Sequence, residues 1–390
     1  MVPGLAEPGI KRREVRPAVA GWVNGLLTVV LIYFFLVAMK LMGTSFKMLG
    51  SGFSTRLVDL ASNPLSGLFA GILATAIVQS SSVTTSLTVG LVAANALDPE
   101  IGLTLEQAIP IVMGANIGTS VTNTIVSLVH LGRRDEFRRA FAGAIVHDLF
   151  NWCTVLVLFP LEYFTGYLGR LSRWITDEFF TATKVGSFKP VDVLIHPVKK
   201  AVLAFFEDVL KLKGFWLGVV LVVVSLVMLF AVLTGLTRVL KKMVVGRLER
   251  VIDRFLFRNA LMSYILGLAA TALVQSSSVT TSMAVPLLGA GLLTVEQVYP
   301  YTLGANVGTT VTAFIASLAG PAGFTVALVH LLFNVHGAII FYPLRCVPIG
   351  AAKWYAKIAA AKPRYAALFI IVIFFALPLV VIGVSTLLRP

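Results

Sequence analysis

Gln79-Ser80-Ser81-Ser82-Val83-Thr84-Thr85-Ser86 occurs a second time, letter for letter, as Gln275-Ser276-Ser277-Ser278-Val279-Thr280-Thr281-Ser282. Each copy carries seven polar side chains inside a segment otherwise built almost wholly of Ala, Leu, Ile, Val and Gly. No charged residue falls between Asn63 and Asn95, or between Asn259 and Thr294. A hydroxyl or amide buried without a partner costs about 1–3 kcal/mol. The two octets therefore need one another, a wet cavity, or a polar guest.

The composition around them says what medium they are buried in. Of 390 residues, 57% are hydrophobic and only 13% charged, with a mean hydropathy of +0.90. A soluble domain carries about 25% charged residues. Several apolar runs exceed the roughly 20 residues that span a bilayer as a helix. Strand-type alternation is absent, so the chain reads as an all-α polytopic membrane protein. The net charge of +14 sits mostly in loops beside apolar segments. Topology and anionic lipid headgroups account for it, and nucleic acid is not expected as a partner. Two isolated cysteines, Cys153 and Cys346, make neither a disulfide framework nor a metal site, and no cofactor is expected.

In chain order, residues 1–21 are a basic cytoplasmic tail and 22–42 a first span, retained and not cleaved as a signal. Ser62-Asn63-Pro64 is a helix start signal. The apolar run that follows ends at Gln79 after fifteen residues, about 22 Å of helix against a hydrocarbon core of about 30 Å. Either one long span has a polar middle, or two half-helices meet at the octet as a re-entrant hairpin; the hairpin is the reading taken. The span at 104–131 is interrupted by Gly114-Ala115-Asn116-Ile117-Gly118-Thr119-Ser120, which predicts a discontinuous, unwound helix. A basic loop, Arg133 to Arg139, leads to a span at 140–160 that carries His147, Asp148 and Asn151 and is expected to end at Pro160. Residues 161–213 are read as an external connecting loop, with an amphipathic helix around Val198 to Val209.

Residues 214–344 then repeat residues 22–160. Gly304-Ala305-Asn306-Val307-Gly308-Thr309-Thr310 answers Gly114 to Ser120, and His330 to Asn334 answers His147 to Asn151. A basic cytoplasmic loop at 345–364 and a last helix at 365–390 complete the chain. The basic loop at 132–139 has a counterpart at 319–325 without Lys or Arg, as two repeats of inverted topology require. Placing the N-terminus, 132–139, 238–258 and 345–364 inside collects 20 of the 32 Lys and Arg residues on one side. The two octets then enter from opposite faces and meet near the midplane. Paired, interrupted apolar segments at matching positions of two halves point to a transporter binding site.

No Lys or Arg lies in the octet or Gly-Ala-Asn segments. Helix N-termini there suit an oxyanion, whereas carbonyls, hydroxyls and amide oxygens suit a small hard cation. A multivalent anion entering against an inside-negative potential pays about 2.3 kcal/mol per charge per 100 mV. Co-bound Na⁺ removes that cost, and the coupling is reciprocal. This favours cation-coupled oxyanion transport without choosing the oxyanion.

The octets, both Gly-Ala-Asn segments and Phe137-Arg138-Arg139-Ala140-Phe141-Ala142-Gly143 through His147-Asp148-Leu149-Phe150-Asn151-Trp152 resemble the type II sodium-dependent phosphate cotransporter family, in its bacterial form, over residues 20–388. The resemblance implies Na⁺-driven import of inorganic phosphate as HPO₄²⁻ by alternating access, in a cell (inner) membrane, with the N-terminus cytoplasmic. It implies phosphate binding at Ser80, Ser81, Ser276 and Ser277, to which Asn116 and Asn306 are added. It implies sodium ligands at Gln79, Ser82, Gln275 and Ser278 and at Thr309 and Thr312 with their repeat mates Thr119 and Thr122. The departures are an outer loop without cysteines and the absence of an N-glycosylation sequon.

Each reading has a plainer rival. Serines and threonines can bond their own helix carbonyls, and glycines can serve close packing. For His147, His330, Asn151 and Asn334, interhelical hydrogen bonds are expected in place of substrate contact, and Asp148 is expected to pair with the loop arginines. Rival functions are transport of another oxyanion, a passive anion channel, and an intramembrane serine hydrolase with a His base. The hydrolase needs one asymmetric nucleophile–base pair, while this chain doubles everything, so the chain is not expected to be an enzyme.

Overall fold

The computed structural model describes residues 17–49, 61, 63–97, 102–183, 189–255 and 259–388. Among them there are helices and no strand. Six helical stretches are long and apolar enough to cross a membrane: Trp22–Met42, Leu105–His130, Arg134–Thr165, Gly214–Val239, Pro321–Phe341 and Arg364–Leu387. Two shorter apolar helices, Pro64–Val78 and Ala260–Val274, accompany them.

The first half comprises α1 (Pro17–Leu49), α2 (Pro64–Val78), α3 (Ser81–Leu97), α4 (Leu105–Gly118), α5 (Val121–Ser127), α6 (Arg134–Thr165) and α7 (Tyr167–Thr183). After α8 (Lys189–Ala204), the second half comprises α9 (Gly214–Phe255), α10 (Ala260–Val274), α11 (Ser277–Ser282), α12 (Ala284–Gly289), α13 (Val295–Ala316), α14 (Pro321–Phe341) and α15 (Cys346–Ala361). Two last helices, α16 (Arg364–Ile371) and α17 (Leu377–Leu387), are joined by a π-turn.

Local sequence starts and stops the short helices in the same way in both halves. Asn63 caps α2 by accepting from the Leu65 amide at 2.9 Å, and Asn259 caps α10 by accepting from Met262 at 2.8 Å. Gln79 and Gln275 stop them in the left-handed conformation, with φ 55° and 58°. Thr104 with Gln107, and Thr294 with Gln297, form reciprocal capping boxes at the starts of α4 and α13.

Glycine lets α2 lie directly on α4, and α10 on α13. A Cβ on Gly71 would stand 2.2 Å from the Ile111 carbonyl oxygen, and one on Gly114 1.9 Å from that of Leu68. The mates Gly267 and Gly304 meet Tyr301 and Tyr264 carbonyls at 2.0 and 1.9 Å. The glycines of the Gly-Ala-Asn segments are thus accounted for by packing. α1 runs along α9, its counterpart.

Four stretches differ from the sequence expectation. The helix expected to end at Pro160 runs on to Thr165, because losing one N–H removes one bond, and Gly166 at φ 60° ends it. The connecting stretch holds α7 as well as the amphipathic α8. Residues 346–361, expected as a basic loop, form α15, whose buried Ala352, Ala356, Ala359 and Ala360 make a smooth face against α6. The interrupted helix is broken only in the first half, between α4 and α5; α13 runs through its Gly-Ala-Asn segment without a break.

α7 and α15 extend the internal match. Arg173 of α7 pairs with Glu106 of α4, and Lys353 of α15 pairs with Glu296 of α13. Buried Ser172 and Thr176 on α7 stand where Ala352 and Ala356 stand on α15. α7 packs on α14 of the other half, while α15 packs on α6.

Candidate functional site

Each QSSS string breaks its helix, and a threonine from either side of the break meets its counterpart. The Thr75 hydroxyl meets that of Thr84 at 2.9 Å, and Thr271 meets Thr280 at 2.7 Å. Nine residues of unbroken helix would hold those pairs about 13 Å apart. After each break a serine restarts the helix: Ser80 Oγ accepts from the Val83 amide at 3.4 Å, and Ser276 Oγ from Val279 at 3.3 Å.

The two breaks lie against each other. Ser82 Oγ donates toward the Gln275 carbonyl at 3.4 Å and lies 3.5 Å from Thr312 Oγ1. Ser278 Oγ donates to the Thr119 carbonyl at 3.1 Å. Five of the eight expected sodium ligands, all buried, thus fall into two contacts between the halves, Ser82 with Gln275 and Thr312, and Ser278 with the Thr119 carbonyl, the Thr119 hydroxyl itself donating to Ala115 at 2.9 Å. The remaining three lie differently. Gln79 is exposed, whereas its mate Gln275 is buried with Oε1 unpartnered among the described residues. The Thr122 hydroxyl is also unpartnered there. Thr309 Oγ1 donates to its own helix at Ala305, 3.0 Å away.

Of the expected phosphate ligands, Ser80 and Ser276 are half-buried at the restarts, and Ser81 and Ser277 are buried one residue further on. The octets divide their labour. Thr85, Thr281 and Ser282 bond carbonyls of their own helices, as the plainer reading expected, while Ser82 and Ser278 reach across.

A second layer of cross-half bonds surrounds Asn116 and Asn306. His147 Nε2 bonds Asn306 Oδ1, and His330 Nε2 bonds Asn116 Oδ1 at 3.2 Å. Asn306 donates to Asn151 Oδ1 at 2.8 Å, and Asn334 donates to Asn116 Oδ1 at 3.3 Å. Each half's histidine–asparagine face thus holds the other half's Gly-Ala-Asn asparagine. The histidines bond between helices, as expected. The two asparagines bond them and are buried to 4% and 3% exposure.

At one rim of this interface Arg139 of α6 reaches the end of α12, donating to the Gly289 carbonyl at 2.7 and 3.1 Å and to that of Leu288 at 3.3 Å. The corresponding position in α14 is Ala322.

Asp148 does not pair with the loop arginines. It is wholly buried and bonds the hydroxyls of Ser120 and Thr124 at the α4–α5 break. Sequence reading also passed over Thr75 and Thr271, although their identical distance from the two octets was visible. It passed over Asn123, which donates to Thr281 Oγ1 at 2.7 Å, and that residue carries no such signal.

The sequence profile described as Na+/Pi-cotransporter matches residues 34–161 and 227–388. The chain is similar to Sodium-dependent phosphate transport protein 2B of Homo sapiens, 32% identical over 98% of this chain and 69% of the relative. It is similar to Sodium-dependent phosphate transport protein 2A of Rattus norvegicus, 34% identical over 98% of this chain and 69% of the relative. No solved structure matches significantly. One matched stretch contains the first break, the other contains the second, and together they cover most of this multi-pass membrane chain: it belongs to the Na⁺/Pi-cotransporter family.

Proposed function

We propose that this chain is a secondary active transporter that imports inorganic phosphate, as HPO₄²⁻, together with Na⁺, by alternating access in a cell (inner) membrane. The observation that carries the reading is the meeting of the two QSSS breaks, with Ser82 on the Gln275 carbonyl and Ser278 on the Thr119 carbonyl. Family membership supports phosphate and sodium as the cargo.

In this reading the two halves are inverted repeats and each octet is a re-entrant hairpin, the first entering from outside and the second from inside. The reciprocal bonding of each half's His-Asn face to the other half's asparagine supports a two-fold relation, since that exchange is what such an axis generates. The asymmetric basic loops support inversion, with a cytoplasmic N-terminus. Ser80, Ser81, Ser276, Ser277, Asn116 and Asn306 hold phosphate through hydroxyls, amides and the amides freed at the breaks. Gln79, Ser82, Thr119, Thr122, Gln275, Ser278, Thr309 and Thr312 hold Na⁺ through oxygens. The buried Oε1 of Gln275 and the Thr122 hydroxyl, without protein partners among the described residues, fit groups that wait for a guest. The residues serve as ligands, with no covalent step and no resident cofactor, and lipid headgroups are met by the basic loops.

Uptake of radiolabelled phosphate into proteoliposomes tests the reading. Accumulation is expected with an inward Na⁺ gradient and is expected to vanish when choline replaces Na⁺. Equal uptake in choline, or unitary currents in place of saturable accumulation, overturns it. Competition by sulfate that matches phosphate overturns the choice of anion.

A further inference from the structure

A groove of about 330 Å³ opens on the second half between α10, α13 and α14, lined among others by Leu261, Tyr264, Leu303, Ala338, Tyr342 and Pro343. Apart from the two tyrosine hydroxyls, its side chains are apolar. It lies where α10 starts and α14 ends, at one end of a helix long and apolar enough to cross a membrane.

The first half fills the corresponding place with its own residues. Trp152 stands where Val335 stands, and its ring centroid is 6.2 Å from that of Phe69 on α2. Phe69 is 6% exposed, whereas its mate Ile265 on α10 is 48% exposed. The last helix, α17, also packs on α2. Its mate α10 packs instead on α9, α11 and α13, and its Leu261 is exposed at the groove.

The rims differ in charge. Arg345 is exposed just past Pro343, its guanidinium 5.7 Å over the ring of Tyr342, which lines the groove. No carboxylate pairs with Arg345 among the described residues. The matching residue of the first half is Glu162, which accepts from the Leu168 amide at 2.6 Å. Residues 345–364 carry five basic residues and no acidic one, while the matching 162–181 carry two basic and three acidic. An apolar slot between helices with tyrosines and a free cation at its mouth suits an amphiphile with an anionic head. A soluble anion would use Arg345 and leave the slot empty. A second copy's apolar helix would fill the slot and leave the guanidinium without a counter-charge.

We propose that the groove holds an acyl chain of one anionic phospholipid, whose phosphate sits on Arg345. The proposed topology puts this rim in the inner leaflet, where anionic lipid is concentrated. The inference rests on the chain crossing a membrane and not on its cargo.

Native mass spectrometry of the full chain released from detergent tests it, with phosphatidylglycerol or phosphatidylcholine of the same acyl chains added. One phosphatidylglycerol per chain is expected to be retained in preference to phosphatidylcholine. Arg345→Gln is expected to weaken phosphatidylglycerol binding about fivefold, the effect of one basic residue beside an anionic surface. Val335→Trp places the first half's residue in the groove and is expected to abolish retention of that lipid. Should Val335→Trp fail to stay monodisperse, Leu261→Trp fills the groove from an exposed position, with the same expected loss. Equal retention of the two lipids, or unchanged affinity in Arg345→Gln, overturns the headgroup contact and the proposal with it. An unchanged lipid count in the tryptophan variant overturns the groove as the site. A dimer that the tryptophan variant dissolves overturns the proposal too, showing a second copy of the chain in place of lipid.

Discussion

Gln275 is a non-glycine residue in left-handed backbone, a conformation costing an L-residue roughly 1–2 kcal/mol. Its side chain is buried, and its carbonyl faces Ser82. Replacement by glycine separates the two contributions. Gln275→Gly is expected to keep or raise the thermal midpoint in detergent while Na⁺-dependent phosphate uptake falls at least about tenfold, a loss of about 1.4 kcal/mol of cargo binding. Wild-type uptake in that variant would remove Gln275 from the site. Ser82→Ala and Ser278→Ala are each expected to raise the Na⁺ concentration for half-maximal uptake several-fold, consistent with hydrogen-bonding groups contributing about 1 kcal/mol each. An unmoved Na⁺ dependence in both would make the cross-half contacts structural only. At this scale the sequence was informative about Ser82, Ser278 and Gln275 because their duplication marks them. It was silent on Asp148, whose partners are set by a break that only tertiary packing produces.

Helix contacts explain which glycines are obligatory. Gly114→Ala and Gly304→Ala each drive a methyl into a backbone carbonyl that cannot rotate away. Each is expected to destabilise the protein by about 3 kcal/mol or more, seen as loss of the monodisperse peak in fluorescence-detected size exclusion. Gly350→Ala, with nothing within 4 Å of the new Cβ, is expected to behave as wild type. Normal folding of Gly114→Ala would contradict the close approach of α2 and α4. The octets and the Asn63 start signal were legible because each is local chemistry. The broken α4–α5 against the continuous α13 was not, since the same Gly-Ala-Asn letters stand in both. The difference accompanies Asp148 in the first half against Leu331 in the second, each on a neighbouring helix.

The molecule is held together by exchanged bonds between its halves, so coupling energies can be measured across them. A double-mutant cycle on His147→Ala and Asn306→Ala is expected to give about 0.6 kcal/mol of coupling and no more than about 1.7, as for hydrogen bonds between membrane helices. Its mate, His330→Ala with Asn116→Ala, is expected to match within that range; zero coupling in both would deny the network a role in joining the halves. The duplication itself was readable from three shared motifs. Its extension to α7 and α15 was not, because Arg173 and Lys353, or Ser172 and Ala352, share no letters and correspond only through what they touch.

The guanidinium of Arg139 makes three bonds to the end of α12, and the side chain of Ala322, the matching residue of the second half, can make none. A carrier assembled from perfect twins would idle evenly between its two orientations. In the proposed alternating-access cycle, a contact held in one orientation only and worth about 1.4 kcal/mol would leave the empty carrier waiting on a single side ten times out of eleven.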